Sequence, residues 1–186
     1  MAFTTPLVCI ENVVATASIN QNLDLHEIKR KFPNSRYNPQ QFPGAVFKID
    51  LPKTTTLIFR TGNMVCTGAK SEKHAYTAIN NVIKKLRSKN IKIKNDADIL
   101  IQNVVTAVNL GGKILIENAA RTLPRTMYEP DQFPGLIHRQ LNPKTVILLF
   151  ASGKLICTGG KSSKNAFHAI HQIHSMLEEK KLISYG

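Results

Sequence analysis

The sequence predicts an α+β fold made of two copies of one unit, in which an antiparallel sheet carries helices on one face. The first reason is a repeat: shifting the chain by 91 residues places QFPG at 41–44 on QFPG at 132–135 without a gap. The same shift aligns GNMVCTGAKS with GKLICTGGKS. The second reason is that short β-rich segments are flanked by amphipathic helical segments in each copy. Since a solenoid needs three or more repeats, two copies indicate a pseudo-twofold molecule with domains at 1–91 and 92–186.

Strands are predicted where apolar and β-branched residues cluster between turn signals. The first such run is PLVCIENVVAT, and three short runs follow later in the repeat, separated by the turn-like LPKT and TGN. NIKIKN predicts one more short strand. The predicted strands of the first repeat cover 6–16, 44–51, 54–60, 63–68 and 90–95.

Two helices are predicted in the first repeat from apolar residues at helical spacing. The first is LDLHEIKRKF at 23–32, with Asp24 as its candidate N-cap. The second is SEKHAYTAINNVIKKLRS at 71–88, with Ser71 as its candidate N-cap. The second repeat follows the same order and ends in a helix at about 162–179.

The chain is strongly basic, because 25 Lys and Arg residues outnumber 12 Asp and Glu residues and give a formal net charge of +13. Both repeats share this excess, so it is not confined to a tail. The balance favours a polyanionic partner, most often a nucleic acid, over an ordinary solvated surface. No apolar run reaches 18 residues and the N-terminus lacks a signal-peptide pattern, so neither a membrane span nor secretion is expected.

Catalytic and metal-binding patterns are weak in this sequence. Its three cysteines form no C-x-x-C pair and suggest a reducing, intracellular setting, with the repeat-equivalent Cys66 and Cys157 packed in the core. His168, His171 and His174 recur every three residues and would fan around a helix instead of converging on a metal. With no candidate triad or carboxylate pair, we expect a protein that is not an enzyme and has no cofactor and no metal.

Alternation along the predicted strands places an apolar set on the sheet face that the two helices of a repeat cannot cover. In the first repeat this set is Val14, Leu57, Val65 and Thr67. An exposed apolar face of this size usually marks a surface for a partner. The alternative is a sandwich in which the two repeats bury these faces against each other.

A flat apolar face flanked by basic residues suits the minor groove of DNA, which is lined by sugars and, at A·T pairs, by acceptors only. Asn12 in ENVVA can donate to adenine N3 or thymine O2. A guanine N2 amine would clash with such a face. The sequence therefore predicts a preference for A·T-rich DNA.

Four paired motifs make the chain resemble the TATA-binding protein family along nearly its whole length. They are ENVVA with QNVVT, YNPQQFPG with YEPDQFPG, PKTTTLIF with PKTVILLF, and VCTGAKS with ICTGGKS. The resemblance implies a saddle, with ten antiparallel strands as its concave underside and four helices on its convex top. FPG in both repeats is more similar to archaeal than to eukaryotic members, although the acidic C-terminal tail common among archaeal members is missing.

The resemblance also assigns roles to individual positions. It implies four wedge residues that enter DNA steps, Phe42, Phe59, Phe133 and Phe150, although taken alone they could be core residues. It implies base-edge contacts at Asn12, Asn103, Thr67 and Thr158, and a groove-lining surface of Val14, Val105, Leu57, Leu148, Val65 and Ile156. It implies phosphate contacts at Lys48, Arg139, Lys70, Lys161, Lys154, Thr61 and Ser152. It implies that Glu129, Asp131 and Gln132 bind transcription factor B.

Three positions depart from the family pattern. Asn63 stands where the second repeat has Lys154 and where a basic residue is usual, which predicts a weaker phosphate grip in the first repeat. Gln40 and Gln41 are uncharged where some members are basic.

The implied function is that of a general transcription initiation factor. It would bind the minor groove of double-stranded TATA-box promoter DNA, bend it by phenylalanine insertion, and recruit transcription factor B and RNA polymerase. The implied location is the cytoplasm and nucleoid if the protein is archaeal and the nucleus if it is eukaryotic. The sequence does not decide whether the DNA-free chain forms a homodimer. Two alternatives also stay open, namely a family relative that acts mainly as a protein scaffold, and a single-stranded RNA binder that stacks bases on the phenylalanines.

Overall fold

The computed structural model describes residues 5–186, which contain four helices and eleven strands. The first repeat contains β1 (Leu7–Ser18), α1 (Leu25–Lys31), β2 (Ala45–Asp50), β3 (Lys53–Ile58), β4 (Asn63–Ala69) and α2 (Glu72–Ser88). The second contains β5 (Asp98–Asn109), β6 (Lys113–Ile114), α3 (Ile116–Thr122), β7 (Thr126–Met127), β8 (Leu136–Leu141), β9 (Lys144–Leu149), β10 (Lys154–Gly160), α4 (Ser163–Glu179) and β11 (Ile183–Ser184).

The six elements of the first repeat all recur 91 residues later with the same bounds, so that β1 corresponds to β5, α1 to α3, and α2 to α4. The predicted α+β class and internal repeat are therefore confirmed. Both predicted N-caps are confirmed as well. The Asp24 carboxylate accepts the backbone N–H of His26 at 2.9 Å, and the Ser71 hydroxyl accepts that of His74 at 3.0 Å.

The chain divides into two compact units, one formed by residues 12–102 and the other by residues 5–11 with 103–186. The strand order is β2-β3-β4-β1 in the first unit, which also contains the first five residues of β5, and β5-β10-β9-β8-β7 in the second, which also contains the first five residues of β1. β6 and β11 pair separately in the second unit. The domain bounds predicted at 1–91 and 92–186 follow the repeat in the sequence and not the compactness of the chain, and they stay a prediction.

The expected ten strands of the large sheet are a slight overcount, because nine are present in residues 5–186. In the second unit β7 pairs with β8 through two residues, including Met127 with Ile137. The corresponding segment of the first unit makes only one isolated bridge, in which Arg36 and Val46 exchange backbone hydrogen bonds of 3.0 and 2.7 Å. One bridge is too short to form a strand.

The strand predicted at 90–95 is wrong, because no strand forms there. Its apolar residues Ile91 and Ile93 are buried, which explains the alternating pattern. Its backbone instead bonds to side chains. The amide of Gln21 donates to Lys92 O at 2.7 Å and accepts from Lys94 N at 2.9 Å. This side chain takes the place of a ladder partner.

Each unit buries one face of its strands beneath its helices. On β1 the residues Val13, Ala15 and Ala17 are buried, while those between them are not. The long helices α2 and α4 cover these faces with apolar stripes, and α2 buries six residues from Ala75 to Leu86. The other sheet face of each unit, which we call the open face, carries the alternate residues.

Candidate nucleic-acid interface

The open face of the first unit carries the four residues predicted for it. Val14, Leu57, Val65 and Thr67 are all half-buried, although they alternate with fully buried neighbours. Leu57 lies opposite Val65 on the neighbouring strand. Adjacent placement of these side chains produces a continuous surface of aliphatic and hydroxyl groups.

The second unit repeats this surface with the same register. Leu148 lies opposite Ile156, and Thr158 lies opposite Val146. Val105 on β5 is half-buried, as Val14 is on β1. Ile156 is 37% exposed, which is high for an isoleucine within a strand and leaves its side chain free to contact a ligand.

The open face extends beyond the residues that the sequence reasoning selected. Val46 lies opposite Leu57, and Ile137 lies opposite Leu148. Strand alternation would have found Val46, because it lies two residues before the selected Lys48. Leu100 was also missed. It is 65% exposed and lines a groove of about 720 Å³ with Phe59 and Val65.

The predicted base-edge residues contact each other in pairs. Asn12 Oδ1 accepts the backbone N–H of Gly68 at 2.7 Å, and its Nδ2 donates to Thr67 Oγ1 at 3.1 Å. Asn103 makes the same two contacts with Gly159 N and Thr158 Oγ1, at 2.7 and 3.1 Å. The backbone N–H fixes the oxygen end of the amide, so the nitrogen end is held as the donor.

A bulge in β4 makes this anchor available. The pairing of β1 with β4 shifts register between Val13 and Ala15, opposite the segment that contains Gly68. Gly68 has φ of +95°, a left-handed conformation that favours glycine. The bulge leaves its N–H outside the ladder and available to Asn12.

The predicted wedge residues form two ring pairs, one in each unit. The ring centroids of Phe42 and Phe59 are 5.9 Å apart, as are those of Phe133 and Phe150. Phe42 and Phe133 are 39% and 36% exposed, so these rings are not core residues. Phe42 precedes β2 and Phe59 follows β3. Because Ala45 of β2 pairs with Ile58 of β3, the two rings are brought together at the open end of this hairpin.

Glycine in the FPG motif is required by these rings. A Cβ at Gly44 would lie 2.7 Å from Phe42 Cε1 and 3.1 Å from Phe59 Cε1. At Gly135 it would lie 2.7 Å from Phe133 Cε1. Both rings therefore rest on a position without a side chain, which explains why the motif occurs twice.

The predicted phosphate contacts are all exposed, namely Lys48, Arg139, Lys70, Lys161, Lys154, Thr61 and Ser152. The two units differ at one corresponding position, because Asn63 replaces Lys154 as the first residue of its strand. In the first unit Asn63 lines the same groove as Asp98. The negative charge of the Asp98 carboxylate makes this groove less favourable still for a phosphate group.

The predicted partner-binding residues lie together in the loop between β7 and β8. Glu129, Asp131 and Gln132 are all exposed. The backbone N–H groups of Gln132 and Phe133 both donate to Glu129 O, at 3.0 and 2.9 Å. This turn joins the acidic residues to the second phenylalanine pair. Gln40 and Gln41 are exposed in the corresponding loop of the first unit.

Cys66 and Cys157 are buried in the interior of the protein. Burial raises the pKa of the Cys157 thiol to about 11 and also raises that of Cys66, so both thiols are protonated at neutral pH. Within residues 5–186 no cluster of three or more His, Cys, Asp or Glu side chains could hold a metal ion. None of the helices in that range is long and apolar enough to cross a membrane.

Comparison with known proteins adds independent information. The family model described as "Transcription factor TFIID (or TATA-binding protein, TBP)" matches residues 8–89 and 98–180. The TATA-box-binding protein of Pyrodictium occultum is 44% identical over 178 residues, covering 96% of this chain and 89% of that protein. TATA-box-binding protein E of Halobacterium salinarum is 46% identical over 176 residues, covering 94% of this chain and 95% of that protein. The structure described as "Methanococcus jannaschii TBP" superposes with a TM-score of 0.84 at 41% identity, covering 92% of this chain and 98% of that one.

Proposed function

Because this chain belongs to the TATA-binding protein family, of archaeal type, we propose that it binds and bends A·T-rich promoter DNA and recruits the transcription machinery to it. The observation that carries the proposal is the duplicated arrangement of an anchored asparagine and an exposed phenylalanine pair beside each open face. Binding of this kind needs no catalytic residue and no cofactor.

Recognition of A·T pairs follows from the anchored amides. An amide nitrogen carries two N–H donors, so Asn12 can serve Thr67 and a base edge at once. The minor-groove edge of an A·T pair offers acceptors alone, whereas a G·C pair adds the guanine N2 amine. That amine would meet the Asn donor and the aliphatic surface of Val65 without a partner.

Bending follows from the exposed ring pairs. Insertion of an apolar wedge unstacks a base step at a cost of a few kcal/mol, which the buried ring surface and the extra contacts of bent DNA offset; this wedge mechanism is a known property of the family. Phe133 packs on Gly135 and Phe150, so its ring is already constrained and loses less entropy on insertion. One pair in each unit provides two kinks.

Electrostatic attraction to the DNA backbone follows from the net charge of +13. If about six phosphates are neutralised, the slope of log affinity against log salt should be about −5. A slope near zero would contradict the electrostatic part of the proposal. Because Asn63 stands where the second unit has Lys154, the first unit has one cation fewer among the predicted phosphate contacts.

The test of the proposal is a gel-shift panel on A·T-rich and G·C-rich duplexes of equal length, with a fluorescence bend reporter and a single-stranded competitor. We expect tight binding and bending of the A·T-rich duplex, with weak competition by single strands. Preferred binding to single strands would instead support the RNA-binding alternative, and binding without bending would support the scaffold alternative.

Recruitment of transcription factor B, and through it RNA polymerase, is proposed for the exposed loop that contains Glu129, Asp131 and Gln132. Glu129→Arg reverses a charge without contacting the open face. It should leave DNA affinity unchanged and weaken the ternary complex by about tenfold, as expected for loss of a charge pair at an interface rim. Equal ternary affinity would contradict the assignment of this loop.

The proposed role places the protein at the nucleoid of an archaeal cell. Free of DNA, two chains could cover their open faces by forming a homodimer. Dilution should then dissociate the dimer and promoter DNA should compete with it, which sedimentation at several concentrations would measure.

A further inference from the structure

One turn of the second unit carries three of the proposed DNA contacts. It runs from β9 into β10 at residues 150–154 and includes the wedge Phe150 and the phosphate contacts Ser152 and Lys154. The turn is tight, because Gly153 N donates to Phe150 O at 2.9 Å and Phe150 N donates to Lys154 O at 3.0 Å. We call it the contact loop. What supports it from behind decides how precisely its side chains meet DNA.

The contact loop rests on the segment between β5 and β6. Leu110 N donates to Gly153 O at 3.0 Å, and Ile114 N donates to Ala151 O at 3.0 Å. Between these two bonds the backbone of Gly112 touches the loop directly, since a Cβ at Gly153 would overlap Gly112 O. Any movement of Gly112 is therefore passed on to the contact loop.

The aromatic ring of Tyr185 lies against Gly112. A Cβ at Gly112 would be 2.7 Å from Tyr185 Cδ1 and 2.8 Å from Tyr185 Cε1. The ring thus occupies the space that a side chain of residue 112 would need. Gly112 contacts the Tyr185 ring in the direction of its missing side chain and contacts the contact loop through its carbonyl oxygen.

Tyr185 is itself fixed by its backbone and by its hydroxyl group. It directly follows β11, in which Ser184 pairs with Lys113 of β6. The hydroxyl donates to Glu178 Oε1 and lies 3.1 Å from His174 Nε2, and both of these residues belong to α4. The half-buried ring is therefore restrained between α4 and Gly112.

The first unit supports the corresponding turn with a different group. Its turn contains Gly62, where a Cβ would overlap the carbonyl oxygen of Gln21, the counterpart of Gly112. The Gln21 side chain accepts from Lys94 N at 2.9 Å and donates to Lys92 O at 2.7 Å. Lys94 is the counterpart of Tyr185 in the repeat. Both units therefore tie the same two segments together, the first by an amide and the second by an aromatic ring.

We propose that Tyr185 is a positioning residue for DNA binding, which braces the contact loop through Gly112 so that Lys154 meets a phosphate and Phe150 meets a base step. The inference rests on the proposed function, because it requires that the contact loop binds DNA. A loop that is already held in its bound position loses less conformational entropy on binding, so the brace strengthens the contacts that other residues make.

The brace is tested first in the DNA-free protein, by hydrogen exchange of Tyr185→Ala. The amides of Leu110 and Ile114 donate to the contact loop and should exchange about tenfold faster once the ring is gone. The corresponding amides of the first unit, Ile19 and Leu23, donate to its own turn and are the internal control. Their exchange rates should not change.

The consequence for DNA is tested by the salt dependence of binding to an A·T-rich duplex. Tyr185→Ala should reduce the magnitude of the slope of log affinity against log salt by about 0.9, the value for one phosphate contact. Lys154→Ala should reduce it by the same amount. The double variant should show no further reduction, because one contact cannot be lost twice.

Three further variants separate the brace from a general loss of stability. Tyr185→Phe keeps the ring on Gly112 and should retain the parent's exchange rates and slope. Gly112→Ala should reproduce the effects of Tyr185→Ala, because its Cβ displaces the ring. Tyr76→Ala removes a tyrosine ring that is 41% exposed on α2 and is the matched control, for which neither readout should change. Thermal unfolding of each variant verifies that it is folded.

Unchanged exchange at Leu110 and Ile114 in both Tyr185→Ala and Gly112→Ala would overturn the inference, as would additive losses of slope in the double variant. If Lys154→Ala lowers the slope and Tyr185→Ala does not, the inference alone is wrong and the proposed function stands. If the parent protein does not bind the duplex, or if Lys154→Ala leaves its slope unchanged, the proposed phosphate contact is wrong and the positioning role is wrong with it.

Discussion

Substitution of Gly135 by alanine should displace the second phenylalanine pair without unfolding the protein. A Cβ there would lie 2.7 Å from Phe133 Cε1, and ordinary contact begins at 3.4 Å, so the ring must retreat by about 0.7 Å. Phe133 is 36% exposed and can rotate towards solvent. The free energy of unfolding should therefore change by less than about 1 kcal/mol.

The expected loss appears in DNA binding instead. The ring pair has to offset an unstacking cost of a few kcal/mol, and a displaced Phe133 loses part of that compensation. A loss of about 1–2 kcal/mol corresponds to a roughly tenfold weaker affinity, accompanied by a smaller bend angle. Gly44→Ala should have the same effect through Phe42, because its Cβ would also lie 2.7 Å from the ring.

The assay is fluorescence energy transfer across an A·T-rich duplex, combined with thermal unfolding of each variant. Gly186→Ala makes the same chemical change where no atom lies within 4 Å and is the matched control. If Gly135→Ala binds and bends DNA as the parent does, the ring of Phe133 is not a wedge and the reasoning is wrong.

Three further predictions concern other parts of the molecule. Asn103→Asp keeps the oxygen that accepts from Gly159 N but removes the donor, so DNA affinity measured by titration should fall by more than about tenfold; an unchanged affinity would exclude a base-edge role. Cys9 is exposed, whereas Cys66 and Cys157 are buried and their thiol pKa values are raised by burial. A thiol reagent at about pH 8 should therefore label Cys9 rapidly and the other two cysteines only after denaturation. Rapid labelling of more than one cysteine in the folded protein would contradict the buried placement. Burial lowers the pKa of His138 below 6.5, so the unfolded chain binds this proton more readily and stability should decline as pH falls below about 6.5. Denaturant unfolding of His138→Phe should show a shallower decline, and identical pH profiles would contradict this origin.

Much of the fold could be predicted from local patterns. The gap-free shift of 91 residues anticipated that each helix and strand of the first repeat would recur, because segments with similar sequences are subject to similar local constraints. Alternation placed Val65 and Thr67 on one face and Cys66 on the other, since strand geometry has a period of two. The same pattern misled at 90–95, where Ile91 and Ile93 are buried but the backbone bonds to Gln21.

The sequence by itself therefore determined the repeat, the family, most of the helices and strands, and the direction in which strand residues alternate, because all of these can be read from the order of residues along the chain. Only the tertiary structure decided which atoms meet across it. The N–H of Gly68 holds Asn12 from 56 residues away, and the rings of Phe42 and Phe59 meet over Gly44. The unpartnered acceptors of His138 and Gln140 also emerged only there. A periodic pattern gives the direction of a side chain but not its partner, because the partner is chosen by strand register and by packing between distant segments.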